Sequence, residues 1–291
     1  MNLPTNFDFE DDKFNAPPSQ VIPWCQIVNP RYDERDLLPY GLAIKLDNAR
    51  TVGFTPDANW QQIEYAFSTG EIQDLYISKT PRLVIVRRGP LSLKNRETGE
   101  KIGTFKDNYD AFIADKLKFK TYTRHLIFIV GEDKKLLHKL PLQLTVNGAS
   151  GTSFSKAYYD FNRQNRELTG FVSELEKAYA SYRNQPVAAK GSLFHAHGIF
   201  CPTIEPEERG NAENTALVAA TVDYGHPTAD TLTQFLIASD SHESAIITQM
   251  FEEYKEFGKE QIKVEMPKLA TAGASSSYTY PEEDEFDYPP Y

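Results

Sequence analysis

Residues 79–151 constrain the fold more than any other part of the chain. They hold two unbroken apolar runs, Leu83-Val84-Ile85-Val86 and Leu126-Ile127-Phe128-Ile129-Val130, among short alternating segments. Such a run, bounded by turn signals, reads as a strand covered on both faces or closed into a barrel. Leu91–Lys94 and Lys101–Phe105 flank the Gly-bearing loop Arg96-Glu97-Thr98-Gly99-Glu100, which makes a two-stranded ribbon. Lys118-Phe119-Lys120-Thr121-Tyr122-Thr123-Arg124 alternates basic or hydroxyl residues with aromatics and leads into the second run. The same stretch concentrates positive charge. It carries 15 basic and 7 acidic residues, net +8, in a chain of net −10, so the remainder sums to −18.

Further strands are expected at Val21–Val28, Leu42–Leu46, Trp60–Phe67, Ile72–Ser78, Arg82–Arg88 and Leu136–Val146. A short helix over Asp47–Gly53 is expected to be capped by Asp47 and ended by Gly53. Asn108–Ala114 suits one helical turn. After Gly148 the apolar period changes from two to 3.6, which predicts one or two helices over Ser153–Tyr182, split near Gly170. Gly148-Ala149-Ser150-Gly151-Thr152-Ser153 reads as a strand-to-helix turn capped by Ser153. As a phosphate cradle it lacks the lysine and spacing of a P-loop. Leu193–Ile204 and Thr215–Tyr224 are expected as strands, Pro206–Asn211 as a loop, and Thr228–Ala238 and Ser241–Val264 as helices. Ser241 is the expected cap of the last.

These elements predict an α+β fold with an OB-like or other small β-barrel core and packing helices in the C-terminal half. The expected organisation is a disordered acidic N-terminus over 1–19 and a single domain over 20–266. That domain is β-rich over 20–147 and helix-rich over 153–266. Residues 267–291 form a disordered acidic-aromatic tail.

Several function classes are disfavoured. Cys25 and Cys201 form no CxxC pair and no disulfide framework, so reduced thiols are expected. The N-terminus is acidic where a secretion signal is basic and then apolar, and no apolar run reaches the roughly 18 to 20 residues of a membrane helix. A soluble cytoplasmic protein without a membrane partner is therefore expected. No GxSxG, P-loop or GxGxxG motif is present, so neither an enzyme nor a cofactor is expected.

Binding a single strand requires cations along the phosphates and aromatic faces for the bases. Lys79, Arg82, Arg87, Arg88, Lys94, Arg96, Lys116, Lys118, Lys120 and Arg124 supply the cations, and Phe119 and Tyr122 the rings. Alternation sets Lys118 and Lys120 opposite Phe119 on a flat strand, so these three do not all meet one ligand there. The tail adds five acids, at 282, 283, 284, 285 and 287, among Tyr280, Phe286, Tyr288 and Tyr291. Such a block acts as an interaction segment, either in the protein's own basic groove or on protein partners. A weaker pattern is His195-Ala196-His197 with Cys201, Glu205 and His226, since an HxH pair on a strand directs both rings to one side as a metal site needs.

The motifs YGLAIK, SKTPRLVIVRRGPLS, DKLKFKTYTRHLIFIVGE, PLQLTVNGASGTSF, LFHAHGIFCPTIEPEERG and DYGHPTADTL resemble an uncharacterised family of cyanobacterial proteins, a domain of unknown function. The resemblance spans roughly residues 20–260. It implies a bacterial or phage cytoplasm and supplies no site residues. The tail resembles those of bacterial and phage single-stranded-DNA-binding proteins, although it ends Tyr288-Pro289-Pro290-Tyr291 rather than in one apolar residue. The expected function is sequence-tolerant binding of single-stranded nucleic acid, with DNA the expected strand, and a regulatory or partner-recruiting tail. The alternatives are a phage- or plasmid-type structural or adaptor protein that self-associates as a homo-oligomer, and a metal-dependent enzyme at His195 and His197.

Overall fold

Hydrophobic alternation becomes a mixed sheet covered on both faces. The computed structural model describes residues 21–259, except 34–35, 68–69, 160, 163–166, 169 and 211–214. The predicted segments 1–19 and 267–291 lie outside the described residues. In chain order the chain forms β1 (Trp24–Val28), β2 (Tyr32–Asp33), β3 (Asp36–Leu37), β4 (Gly41–Lys45), α1 (Leu46–Val52), β5 (Gln61–Ala66) and β6 (Ile72–Ser78). Next come β7 (Leu83–Arg88), β8 (Ser92–Asn95), β9 (Lys101–Thr104), α2 (Tyr109–Ala114), a 3-10 turn (Lys116–Lys118), β10 (Phe119–Ile129) and β11 (Leu142–Asn147). Then follow α3 (Gly148–Tyr159), β12 (Phe161–Asn162), β13 (Glu167–Leu168), α4 (Gly170–Tyr182), α5 (Ser192–His195) and β14 (Ile199–Phe200). The chain continues through β15 (Pro202–Gly210), β16 (Thr215–Tyr224), a second 3-10 turn (Leu232–Gln234) and α6 (His242–Glu253).

The main sheet runs β14-β7-β10-β11-β1-β4-β6-β5, and β8 and β9 extend it beside the N-terminal half of β10. Its pairs are antiparallel except β1 with β11. The end strands β14 and β5 are not joined, so the described sheet is open. This corrects the expected OB-like barrel to a mixed α/β architecture. The strand count and the apolar runs suit either closure or a two-sided covering, and here the covering supplies the burial. Strands β15 and β16 pair only with each other.

One face, here the front, collects Ile27, Leu42, Ile44, Leu83, Ile127 and Leu144 under Phe154 of α3, Phe171 and Leu175 of α4, and Ala219 of β16. On the back, Val84, Val86, Leu126 and Phe128 pack against Ile247 of α6, joined by Met250, Phe251, Tyr254 and Phe257. A separate back cluster holds Val28, Ala43, Tyr65, Phe67, Leu75 and Ile77. Ser241 caps α6 as predicted, its Oγ accepting the Ser244 amide at 3.1 Å. Gly53 ends α1 in the left-handed conformation, but the helix begins at Leu46, and Asp47 lies inside its first turn rather than at the cap. At Gly41, φ is +134° and a Cβ would stand 2.4 Å from the Ser78 carbonyl oxygen, so only glycine lets β4 meet β6 this closely.

Several predicted elements differ: α6 ends at Glu253 although a helix to Val264 was expected, and the strand expected over Leu136–Val146 begins only at Leu142. Leu193–Ile204 is not one strand; it contains α5, closed by the Ala196 amide donating to the Ser192 carbonyl at 2.9 Å, and the two-residue β14. Pro206–Gly210, expected as loop, is strand β15, since its partner β16 offers a full antiparallel ladder. Thr228–Ala238 contains only the 3-10 turn Leu232–Gln234. Ser153 lies within α3, not at its cap; its Oγ donates to the Ser150 carbonyl and accepts the Thr221 amide, each at 3.0 Å, which ties α3 to β16.

Two histidines are locked neutral in the core. His138 Nε2 accepts the Ile129 amide at 2.8 Å while Nδ1–H donates to the Leu140 carbonyl at 2.6 Å. Burial pushes His138 down to about 4. His125 packs on Phe154, and burial, with the Arg88 charge adding, pushes it down to about 3. Between pH 6.5 and those values the unfolded chain binds protons that the native chain refuses. Stability is therefore full above about pH 6.5 and is lost as pH falls, by up to about 1.4 kcal/mol per pH unit for each ring. His226 has the opposite sign: its bonds to Glu174 and then Asp223 raise it, and what it contributes is present at low pH and fades as pH rises. That side chain is largely exposed, so solvent screens it. Urea unfolding should show stability dropping from pH 6.5 to 5, and His138→Gln should flatten that dependence by roughly half, one of two rings. An unchanged slope would contradict the locked-neutral assignment.

Candidate nucleic-acid interface

The site follows from the alternation along β10. Lys120, Tyr122 and Arg124 share the back face with Leu126 and Phe128, while Phe119, Thr121, Thr123 and His125 take the front. Beyond the reach of β7, the N-terminal half of β10 pairs with β8, which pairs in turn with β9. In this register Lys120 stands opposite Lys94, and Lys94 opposite Lys101. Three lysines on three adjacent strands, about 4.8 Å apart, form one cross-strand row.

Polar residues continue the face. Tyr122 pairs with Ser92 on one side and Asn147 on the other. Arg124 pairs with Thr145, and Thr145 with Gln26. This strip lies between the two apolar back clusters and spans five strands, about 19 Å. Lys116 and Lys118 are exposed on the 3-10 turn that enters β10.

The remaining candidates make structural contacts, Arg96 and Arg124 beside the row and Lys79, Arg82, Arg87 and Arg88 away from it. The Arg87 side chain donates to the Phe251 carbonyl, with its guanidinium 3.3 Å from the Phe251 ring centre, so it caps the C-terminus of α6. Desolvation lowers its pKa against the opposing pull of Glu252 and Glu256. Arg96 donates to the Leu117 carbonyl at 3.0 Å and the Phe119 carbonyl at 3.4 Å, pinning the ribbon to the turn. Arg124 donates to the Gly258 carbonyl at 3.4 Å and is buried. Arg88 points to the front, over Tyr159 at 4.6 Å. Arg82 donates to the Gln234 carbonyl at 3.4 Å, and Lys79 lies over Tyr40 at 4.2 Å. Of the predicted cations, the structure brings together Lys94, Lys116, Lys118 and Lys120, and it adds Lys101, which the sequence reading left out. The opposition of the two ribbon arms was the available signal for Lys101.

Both predicted stacking rings are corrected. Phe119 is 8% exposed and Tyr122 6% exposed, so neither presents a bare face to a base. Phe119 is on the front, and Tyr122 is covered on the back. The metal pattern is corrected as well. His195 ends a helical turn and meets Glu176 at 2.8 Å, whereas His197 is held between the Leu193 carbonyl at 2.8 Å and Ser244 Oγ at 2.9 Å. Glu205 accepts the Tyr40 hydroxyl at 3.0 Å. Among the described residues no three His, Cys, Asp or Glu side chains are grouped to hold a metal ion.

A cleft of about 720 Å³ lies beyond the C-terminal end of β10, where Gly131, Glu132 and Asp133 line it with Asp57, His242 and Glu243. The lysine row and this acidic cleft therefore mark opposite ends of one strand, about 35 Å apart. Among the described residues no helix is long and apolar enough to cross a membrane.

A family model described as a domain of unknown function, DUF5895, matches residues 19–270. The chain belongs to the DUF5895 family. No curated protein and no solved structure matches the chain. The DUF5895 domain thus takes in both ends of the sheet, the lysine row and the acidic cleft, and all the described elements.

Burial separates two kinds of residue in this site. Phe119→Ala or Tyr122→Ala should act as a folding lesion, destabilising the DUF5895 domain by about 3–5 kcal/mol in urea unfolding. Lys94→Gln should change stability by no more than about 0.5 kcal/mol. A Tyr122→Ala protein of undiminished stability would mean that the ring is not core.

Proposed function

We propose that this DUF5895 protein binds single-stranded nucleic acid, DNA in the first instance, without sequence preference and without catalysis. The row Lys120–Lys94–Lys101 supports this reading most directly. It sets three lysines in cross-strand register, half-buried at Lys94 and Lys120 and exposed at Lys101, beside the exposed Lys116 and Lys118. A phosphate chain laid along this end of the sheet would meet these five ammonium groups and release its own counterions. Asp57, Glu132, Asp133 and Glu243 line the cleft past the other end of β10 and make that end less favourable to a polyanion. With Phe119 and Tyr122 buried, affinity rests on charge more than on stacking. The five acids of the tail carry the same sign as the ligand and compete with it for the lysines.

Fluorescence anisotropy with labelled oligo-dT tests the reading. With five lysines engaged, log K against log salt should have a slope no steeper than about −3.5, and Lys94→Gln/Lys101→Gln/Lys120→Gln should reduce it by about 2. Removing residues 278–291 should tighten binding. No binding at low salt by the tail-less chain, or an unchanged slope in the triple variant, overturns the proposal.

A further inference from the structure

An apolar stripe beside the ribbon has no covering element among the described residues. Tyr109 and Ile113 stand one turn apart on α2, and Leu117 follows on the 3-10 turn past the non-helical Asp115; they are 50%, 46% and 71% exposed. Not one residue of α2 is buried. The stripe is anchored from beneath, because the Phe105 ring meets Tyr109 at 5.5 Å and Phe112 at 5.1 Å, and the Phe105 amide donates to the Leu91 carbonyl at 2.8 Å. Lys116 and Lys118 flank its C-terminal end and Lys106 its N-terminal side, with Asp107, Asp110 and Asp115 between them.

We propose that this stripe is the dock for the chain's own C-terminal segment, residues 278–291. Three observations converge on that occupant. The first is chemical match: the segment interleaves Tyr280, Phe286, Tyr288 and Tyr291 with five acids, which suits an apolar stripe with lysines at one end. Rings fill the stripe while the acids reach Lys116 and Lys118, away from Asp107 and Asp110. The second is where the described chain ends. Gly258 packs directly on Gly89, where a Cβ on Gly258 would stand 2.6 Å from the Gly89 Cα, and its carbonyl accepts from Arg124. Gly89 is two residues from Leu91, which holds Phe105 under the stripe. The third is reach. Treated as a random coil, the 24 residues from Lys259 to Glu282 have a root-mean-square span of about 27 Å. Tethering at that span places the segment at a high effective concentration over the stripe. Docking requires no nucleic acid, so it stands or falls separately from the binding proposal.

Photo-crosslinking in the full-length protein tests it. Ile113→p-benzoylphenylalanine should crosslink to peptides within 278–291 on irradiation, read by mass spectrometry. Ile72→p-benzoylphenylalanine, at a comparably exposed apolar position of 60% exposure on β6, is the specificity control and should give few tail links. In a mixture of 15N-labelled and unlabelled chains the links should stay within one isotope. Phe286→Ala/Tyr288→Ala should remove most of the yield from position 113. Equal tail capture by position 72, links from 113 to other segments, links between isotopes, or full yield without the two rings each overturn the proposal.

Discussion

Strand β10 alternates its side chains between two faces of the sheet, and everything functional in this chain depends on what lies beside each half of it. The C-terminal half has β7 and β11 as neighbours and is apolar on both faces, with Ile127 and Ile129 to the front and Leu126 and Phe128 to the back. Covering both faces needs helices on both sides, which α3, α4 and α6 provide. The N-terminal half loses β7 and takes β8 instead. There the back face carries Lys120, Tyr122 and Arg124. One periodicity thus produces a core at one end and a polar, cationic surface at the other.

The charge pattern of the sequence takes on a geometry through that strand. The stretch of net +8 does not become one basic face. Arginines within it serve structure. Arg87 holds the end of α6, Arg96 holds the turn before β10, and Arg124 holds Gly258, each through a backbone carbonyl. Of its lysines, Lys94, Lys101, Lys116, Lys118 and Lys120 lie at the ribbon end, while Lys134, Lys135 and Lys139 follow the other end of β10, where Lys139 lines the cleft. This division fits the chemistry of the two side chains, since a planar guanidinium satisfies carbonyls at fixed angles whereas an ammonium is a hydrated point charge. The acids Asp57, Glu132, Asp133 and Glu243 gather beyond the other end of the strand.

Much of this was legible in the sequence. Strands from Ile72 to Ile129 follow from alternation and Gly-bearing turns, Gly53 as a helix terminator follows from its conformational freedom, and Ser241 as a cap from its position before the α6 stripe. The illegible parts share a cause, which is tertiary context. An apolar run reads the same in a barrel and in a sheet sandwiched by helices, so closure was expected where the sheet is open. Pro206 and three charged residues argued for a loop until β16 supplied a ladder. Within the site, parity along one strand separated Lys120 from Phe119, but whether Tyr122 was covered depended on the rest of the fold. The row of three lysines required the pairing register across two strand junctions, one with a bulge between Leu93 and Lys94.

That register is the premise on which the interface stands, and a double-mutant cycle between Lys94 and Lys120 measures it most directly. The two single Lys→Glu variants and the double variant, compared by urea unfolding, isolate the interaction between the two positions from their separate environments. With the residues directly opposite, each single reversal turns a like-charge pair into an attractive one and the double reversal restores repulsion, giving a coupling of a few tenths to about 1 kcal/mol. Additive effects, with no coupling at low salt, would mean that these lysines do not face each other and that the cationic row is not there.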